Sequence, residues 1–175
     1  MSIPRLTGGV LLLASVFAVA RAPADRLAFP AAGFAIAALD SAPSKESTQI
    51  LLMSLPPSAG FAPNVNVQIQ PCAEGVQAYL ALSKKQFEQM GLELVAESKP
   101  SASAITMEYQ GELQGRKLHC YARAVQKGGS IYLATGTALQ SQWDKVGAEL
   151  KACVDSLETL KDAPAGAGGK ATGGK

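Results

Sequence analysis

The chain has 175 residues, a length for one domain rather than two, and it is 47% hydrophobic and 17% charged. Formal net charge is +2, and the longest cationic runs, Lys84-Lys85 and Arg116-Lys117, are only pairs, so the clustered basic face that nucleic acid needs is absent. The three cysteines form no C-x-x-C, which excludes the usual zinc-ribbon and thioredoxin-type spacings.

Residues 1–20 read as a cleavable secretory signal. Arg5 is their one charge, and Gly8 to Ala20 is an apolar stretch that ends in the small-residue pattern Ala18-Val19-Ala20. This stretch falls short of the roughly 20 apolar residues a membrane-spanning helix needs. Cleavage is expected after Ala20, and it would remove Arg5 and leave a net charge of +1. An uncleaved N-terminal anchor is the alternative reading. The expected mature protein is exported, periplasmic or extracellular, with no stable membrane span.

Residues 21–32 are expected to be a short leader segment, with Pro23 and Pro30. The domain proper is expected over residues 33–160. Gly33 to Leu39 reads as a first strand and Thr48 to Leu55 as a second, stopped by Pro56-Pro57. Asn64 to Gln70 alternates strictly. Val65, Val67 and Ile69 fall on one face and Asn66, Gln68 and Gln70 on the other, the mark of a half-buried strand.

The period then changes. From Glu74 to Met90, Val76, Tyr79, Leu80, Ser83, Phe87 and Met90 recur at three or four residues, which predicts a helix closed by Gly91. Leu92 to Val95 reads as a short extended piece and Lys99 to Ser103 as a loop. Three strands follow: Ala104–Glu112, Lys117–Gln126 and Ser130–Ala138. Gln114-Gly115 and Gly128-Gly129 join them as tight turns, which predicts an antiparallel meander. Ser141 to Leu160 returns to helical spacing with Trp143, Val146, Leu150, Val154 and Leu157 on one stripe. Ser141 and Asp144 are expected to cap its start. Residues 161–175 are mostly Ala, Gly, Pro, Lys and Thr with little apolar surface to bury, and disorder is expected there.

These elements predict an α+β fold: an antiparallel sheet of about six strands and two main helices in β-β-β-α-β-β-β-α order. The sandwich has two or three layers, two if both helices cover one face of the sheet.

Few residues offer chemistry. His119, the single histidine, is the candidate base or ligand; its strand neighbour Cys120 points to the opposite face, so the two make a poor nucleophile pair. Cys120 shares a face with Leu118 and Ala122, and Cys153 flanks the stripe of the last helix. They make a candidate disulfide if that helix covers that face; buried free thiols are the alternative. Glu108/Glu112 and Glu93/Glu97 read as solvated carboxylates, and Trp143 as a core anchor. No phosphate loop, catalytic motif or metal motif is present, and no cofactor is expected.

The order of elements resembles the PsbP-like family and its DcrB-like relatives over roughly residues 33–158. The resemblance lies in the Gly33-Phe34 strand start, Asn64-Val65-Asn66-Val67, the helix holding Tyr79-Leu80, and Tyr132-Leu133-Ala134-Thr135 before the last helix. It implies an α/β/α sandwich and a non-enzymatic binding, assembly or stabilising role. A thylakoid lumen location follows if the host is photosynthetic. The expectation is therefore an exported, non-catalytic binding or assembly-accessory protein with a protein partner. Two other classes stay open: a carrier of a small apolar molecule or lipid, and an enzyme using His119 or a free cysteine.

Overall fold

The computed structural model describes residues 26–29, 33–37 and 46–160. The expected signal at 1–20 and tail at 161–175 lie outside the described residues. The chain divides into two compact units, residues 1–42 and 43–175. In the first, β1 (Arg26–Phe29) and β2 (Phe34–Ala37) form an antiparallel hairpin.

The second unit is a six-stranded sheet with two helices. In chain order it runs β3 (Thr48–Ser54), β4 (Asn64–Pro71), α1 (Val76–Met90), β5 (Glu93–Ser101), β6 (Ala104–Leu113), β7 (Arg116–Lys127), β8 (Ser130–Leu139) and α2 (Gln140–Asp155). The sheet order is β3-β4-β8-β7-β6-β5, antiparallel throughout. The expected α+β fold, six-stranded antiparallel sheet and two helices are all present. Membership of the sheet differs in one respect. The strand expected at Gly33–Leu39 pairs with Arg26–Phe29 instead, and the sixth place is taken by β5.

Both tight turns form as their sequences dictate. Gln114 and Gly115 have φ of 53° and 73°, Gly128 and Gly129 of 57° and 77°. Two successive positive φ angles match the twist of the strands they join. α1 ends on Gly91 at φ 67°, in the left-handed conformation that closes a helix. α2 starts one residue earlier than expected, and its start is held by Gln142, whose Oε1 accepts the Leu139 N–H at 3.0 Å. The Ser141–Asp144 cap is thereby replaced. The Gln142 amide also donates to the Ser58 carbonyl and Oγ, both at 2.8 Å, and ties α2 to the β3–β4 loop.

The helices lie on opposite faces, so the sandwich has three layers. Successive residues of a strand face opposite ways. Ile105, Met107, Ala122, Ala124 and Ile131 pack with Val76, Leu80 and Phe87 of α1. Val65, Ala134 and Ala138 pack with Leu150 and Val154 of α2. Of the two arrangements left open, two layers or three, the chain adopts three. Hydrophobic periodicity says which stripe of a helix is buried, not over which side of the sheet the chain crosses.

Close approach to the sheet uses glycine on each face. A Cβ at Gly136 would lie 3.1 Å from Leu150 Cβ, and one at Gly111 2.6 Å from Leu92 Cδ2.

Candidate functional site

His119 lies in a polar network on the α2 side of β6 and β7. The turn at Gln114-Gly115 sets the register that pairs His119 with Gln110 and Tyr121 with Glu108. Glu108 and His119 are therefore diagonal neighbours, with Glu108 Oε1 2.8 Å from His119 Nε2. Lys151 of α2 donates to the other carboxylate oxygen at 2.7 Å. The imidazole stacks on Trp143, ring centroids 4.0 Å apart and planes 11° apart. Lys151 Nζ stands 5.4 Å from the Tyr121 ring centre, within cation–π range.

Burial pushes the Glu108 carboxyl upward, and the bonds from Lys151 and His119 outweigh it, so the group sits below the usual glutamate range. In this network each polar group named finds its partner in another. His119 is held between a carboxylate and an aromatic face, an arrangement that orders α2 on the sheet. Trp143 anchors it as expected, with Gly147 leaving room for the indole. Glu108 is 14% exposed on its side chain rather than a freely solvated carboxylate.

The cysteines are free. Cys120 faces α1, where its thiol approaches Thr137 Oγ1 at 3.8 Å, and it pairs across the strands with Tyr109, whose ring stacks on Phe87. Cys153 packs in the α2 cluster on the opposite face. The Cys120–Cys153 bridge is corrected for that reason: the sheet stands between the two sulfurs. Burial pushes the Cys120 thiol up, which keeps it a thiol and a poor nucleophile.

The second feature is a cleft on the α1 face. α1 lies mainly over β5, β6 and β7, at one end of the sheet. Beside it, toward β8 and β4, a cleft of about 310 Å³ opens. Its apolar wall is Phe87, Met90, Met107 and Leu133. Its polar lining is Ser47, Gln70, Ser83, Gln86 and Thr135, with the phenols of Tyr79 and Tyr109. Among the described residues, none that lines it is charged.

Burial raises both phenols above the ordinary tyrosine range. At neutral pH they stay protonated and can only exchange hydrogen bonds. Gln70 Nε2 donates to Gln68 Oε1 at 3.2 Å, and Ser47 Oγ to the same oxygen at 3.3 Å. On the same face, opposite Thr135 in the register, the Asn66 Oδ1 atom is buried without a hydrogen-bond partner. The alternation of residues 64–70 is visible in the sequence, but there its polar face reads as a solvent face. Only the placement of α1 turns part of it into the wall of a cleft.

The architecture is thus a three-layer α/β/α sandwich on an antiparallel sheet. The chain resembles the crystal structure of PA94 from Pseudomonas aeruginosa, a protein of unknown function, with a TM-score of 0.54 at 15% identity over 78% of this chain and 97% of that one. The solution structure of cyanobacterial PsbP, CyanoP, from Synechocystis sp. PCC 6803 matches with a TM-score of 0.42 at 14% identity, over 82% of this chain and 96% of that one. At such identity the PA94 likeness bears on the fold alone, and the CyanoP score is too low to add to it. No family model and no curated protein matches the chain.

Proposed function

We propose that the protein is an exported, non-catalytic binding protein of PsbP-like fold that holds its ligand or partner in the cleft beside α1. The observation that carries this reading is the cleft itself: about 310 Å³, lined by apolar and uncharged polar side chains together, at the lower end of the range for small-molecule sites. Its size favours a small ligand, or one short segment of a larger partner, over a broad protein interface.

The non-catalytic part is supported by what surrounds the groups that could react. The phenols in the cleft are held neutral by burial. His119 is tied to Glu108 on the opposite face, away from the cleft. Export rests on the leader pattern at residues 1–20.

The test is native mass spectrometry of the full chain recovered from the exported fraction, alongside Gln70→Trp, which fills the cleft from its rim. Retained extra mass, or a co-purifying partner, that Gln70→Trp loses supports the reading. The same bound species in both proteins places binding elsewhere and overturns the site. Turnover of a substrate abolished by His119→Ala overturns the non-catalytic part.

A further inference from the structure

We infer that this cleft selects a neutral, hydroxyl-rich ligand, a sugar or short uncharged oligosaccharide. The inference rests on the binding reading above and names its ligand class. Three observations carry it.

First, the lining holds no charge among the described residues. An anion would meet no cation there, and a cation no carboxylate. Second, the polar wall is built from groups that both donate and accept. Gln70 of β4 and Gln86 of α1 supply carboxamides to the lining, beside the Thr135 hydroxyl on β8, and Gln68 and Asn66 continue the row on the same face of β4 next to it. Two phenols held neutral by burial stand on the α1 side. A sugar hydroxyl is likewise donor and acceptor at one atom, so vicinal hydroxyls can bridge the oxygen and nitrogen of one carboxamide. Third, next to the lining, opposite Thr135 in the register, Asn66 Oδ1 is a buried acceptor with no partner. Such an atom is costly unless something donates to it.

These same groups disfavour the apolar carrier. An acyl chain laid on β4 would strip water from the carboxamides and return no hydrogen bond. The apolar wall of Phe87, Met107 and Leu133 suits the C–H faces of a pyranose ring, which are apolar although its edge is not.

The experiment is a titration of the isotope-labelled full chain, followed by backbone and side-chain amide NMR. The probes are maltose, N,N′-diacetylchitobiose, decanoate and a blocked tetra-alanine peptide, each added alone to millimolar concentration. The expected result is saturable shifts from at least one of the two disaccharides, centred on Asn66, Gln70, Tyr79 and Thr135. Gln70→Leu and Asn66→Leu are then expected to weaken that binding about tenfold or more. Their thermal midpoints are expected to stay near the parent's, which separates recognition from folding.

If neither disaccharide shifts these residues, the inference fails. If decanoate or the peptide shifts them instead, the sugar class is overturned while the binding reading stands. If no probe binds and Gln70→Trp retains every co-purifying species, both fall. Unchanged sugar affinity in the two leucine variants would also overturn the inference, since the carboxamides would then take no part.

Discussion

The two faces of one sheet are finished in different ways. On the α2 face the helix crosses β8, β7 and β4, and charged groups beside it are paired: Glu108 with His119 and Lys151, and Asp155 with the Tyr121 hydroxyl. On the α1 face the helix sits toward the β5 end, and the groups it leaves beside β8 and β4 are uncharged. Each face has one buried polar atom without a hydrogen-bond partner, Asn66 Oδ1 here and Arg123 Nε beside α2, so the difference lies in charge. The contrast separates two uses of buried polarity. Charged groups that close on each other hold the fold. Uncharged polar groups interleaved with apolar ones around a cleft mark a place for something else.

If both faces are true cores, emptying either is costly. Ile131 on the α1 face is fully buried, and Leu150 on the α2 face nearly so. Ile131→Ala and Leu150→Ala are each expected to lower unfolding free energy by about 2–5 kcal/mol, read from urea denaturation. A cost well below that range for Leu150→Ala alone would mean that α2 is a loosely attached layer. A bulky residue under α2 probes the same contact from the other side. Gly136→Val places methyls against Leu150 and Val154 and is expected to cost about 1–3 kcal/mol.

The charged network should contribute less, and its contribution should depend on pH. Glu108→Gln keeps the shape and removes the charge that Lys151 and His119 face. The expected loss near neutral pH is about 1–2 kcal/mol, small because Lys151 is partly exposed and screened by water. The Glu108 carboxyl sits below its ordinary value in the folded protein. Its contribution is therefore complete above the unfolded-state value, about 4.3, and is lost as pH falls through the lower folded value. Stability of the parent and of Glu108→Gln should converge on acidification. A constant difference down through that window would show that the bonds to Glu108 do not depend on its charge.

Much of this frame is legible in the sequence. The Val65-Val67-Ile69 alternation, the two glycine-bearing turns and the two helical stripes place four strands and both helices within a few residues of their ends. β5 (Glu93–Ser101) is longer than its sequence suggests, because Lys99 to Ser103 reads as loop. At the rim of a sheet those residues need satisfy only one neighbour, β6. The side each helix covers is not legible at all, and the disulfide expectation fails with it. Cys120 and Cys153 look like neighbours only when α2 is laid on the wrong face. Reduced and unreduced samples are accordingly expected to show the same number of free thiols, with Cys120 the last to be alkylated. The His119–Glu108 contact had a signal in the sequence: the two-residue turn that fixes the register of β6 against β7.

The smallest expected effect on stability is the one that bears most on function. Gln70 is half-buried at the cleft, and its amide bonds to Gln68 on its own strand and also meets the Tyr79 phenol. Replacing it with leucine removes these part-buried hydrogen bonds and adds apolar contact near Leu133. The net change is expected to stay within about 0.5 kcal/mol, as for most substitutions away from core and buried networks. A Glu108 substitution should behave in the opposite way, shifting stability and leaving occupancy of the cleft unchanged, because the sheet lies between them. Measuring both quantities for both variants tests the division of labour directly. If Gln70→Leu destabilises the fold as much as Glu108→Gln does, the cleft polarity is part of the structural scaffold and the difference between the two faces disappears.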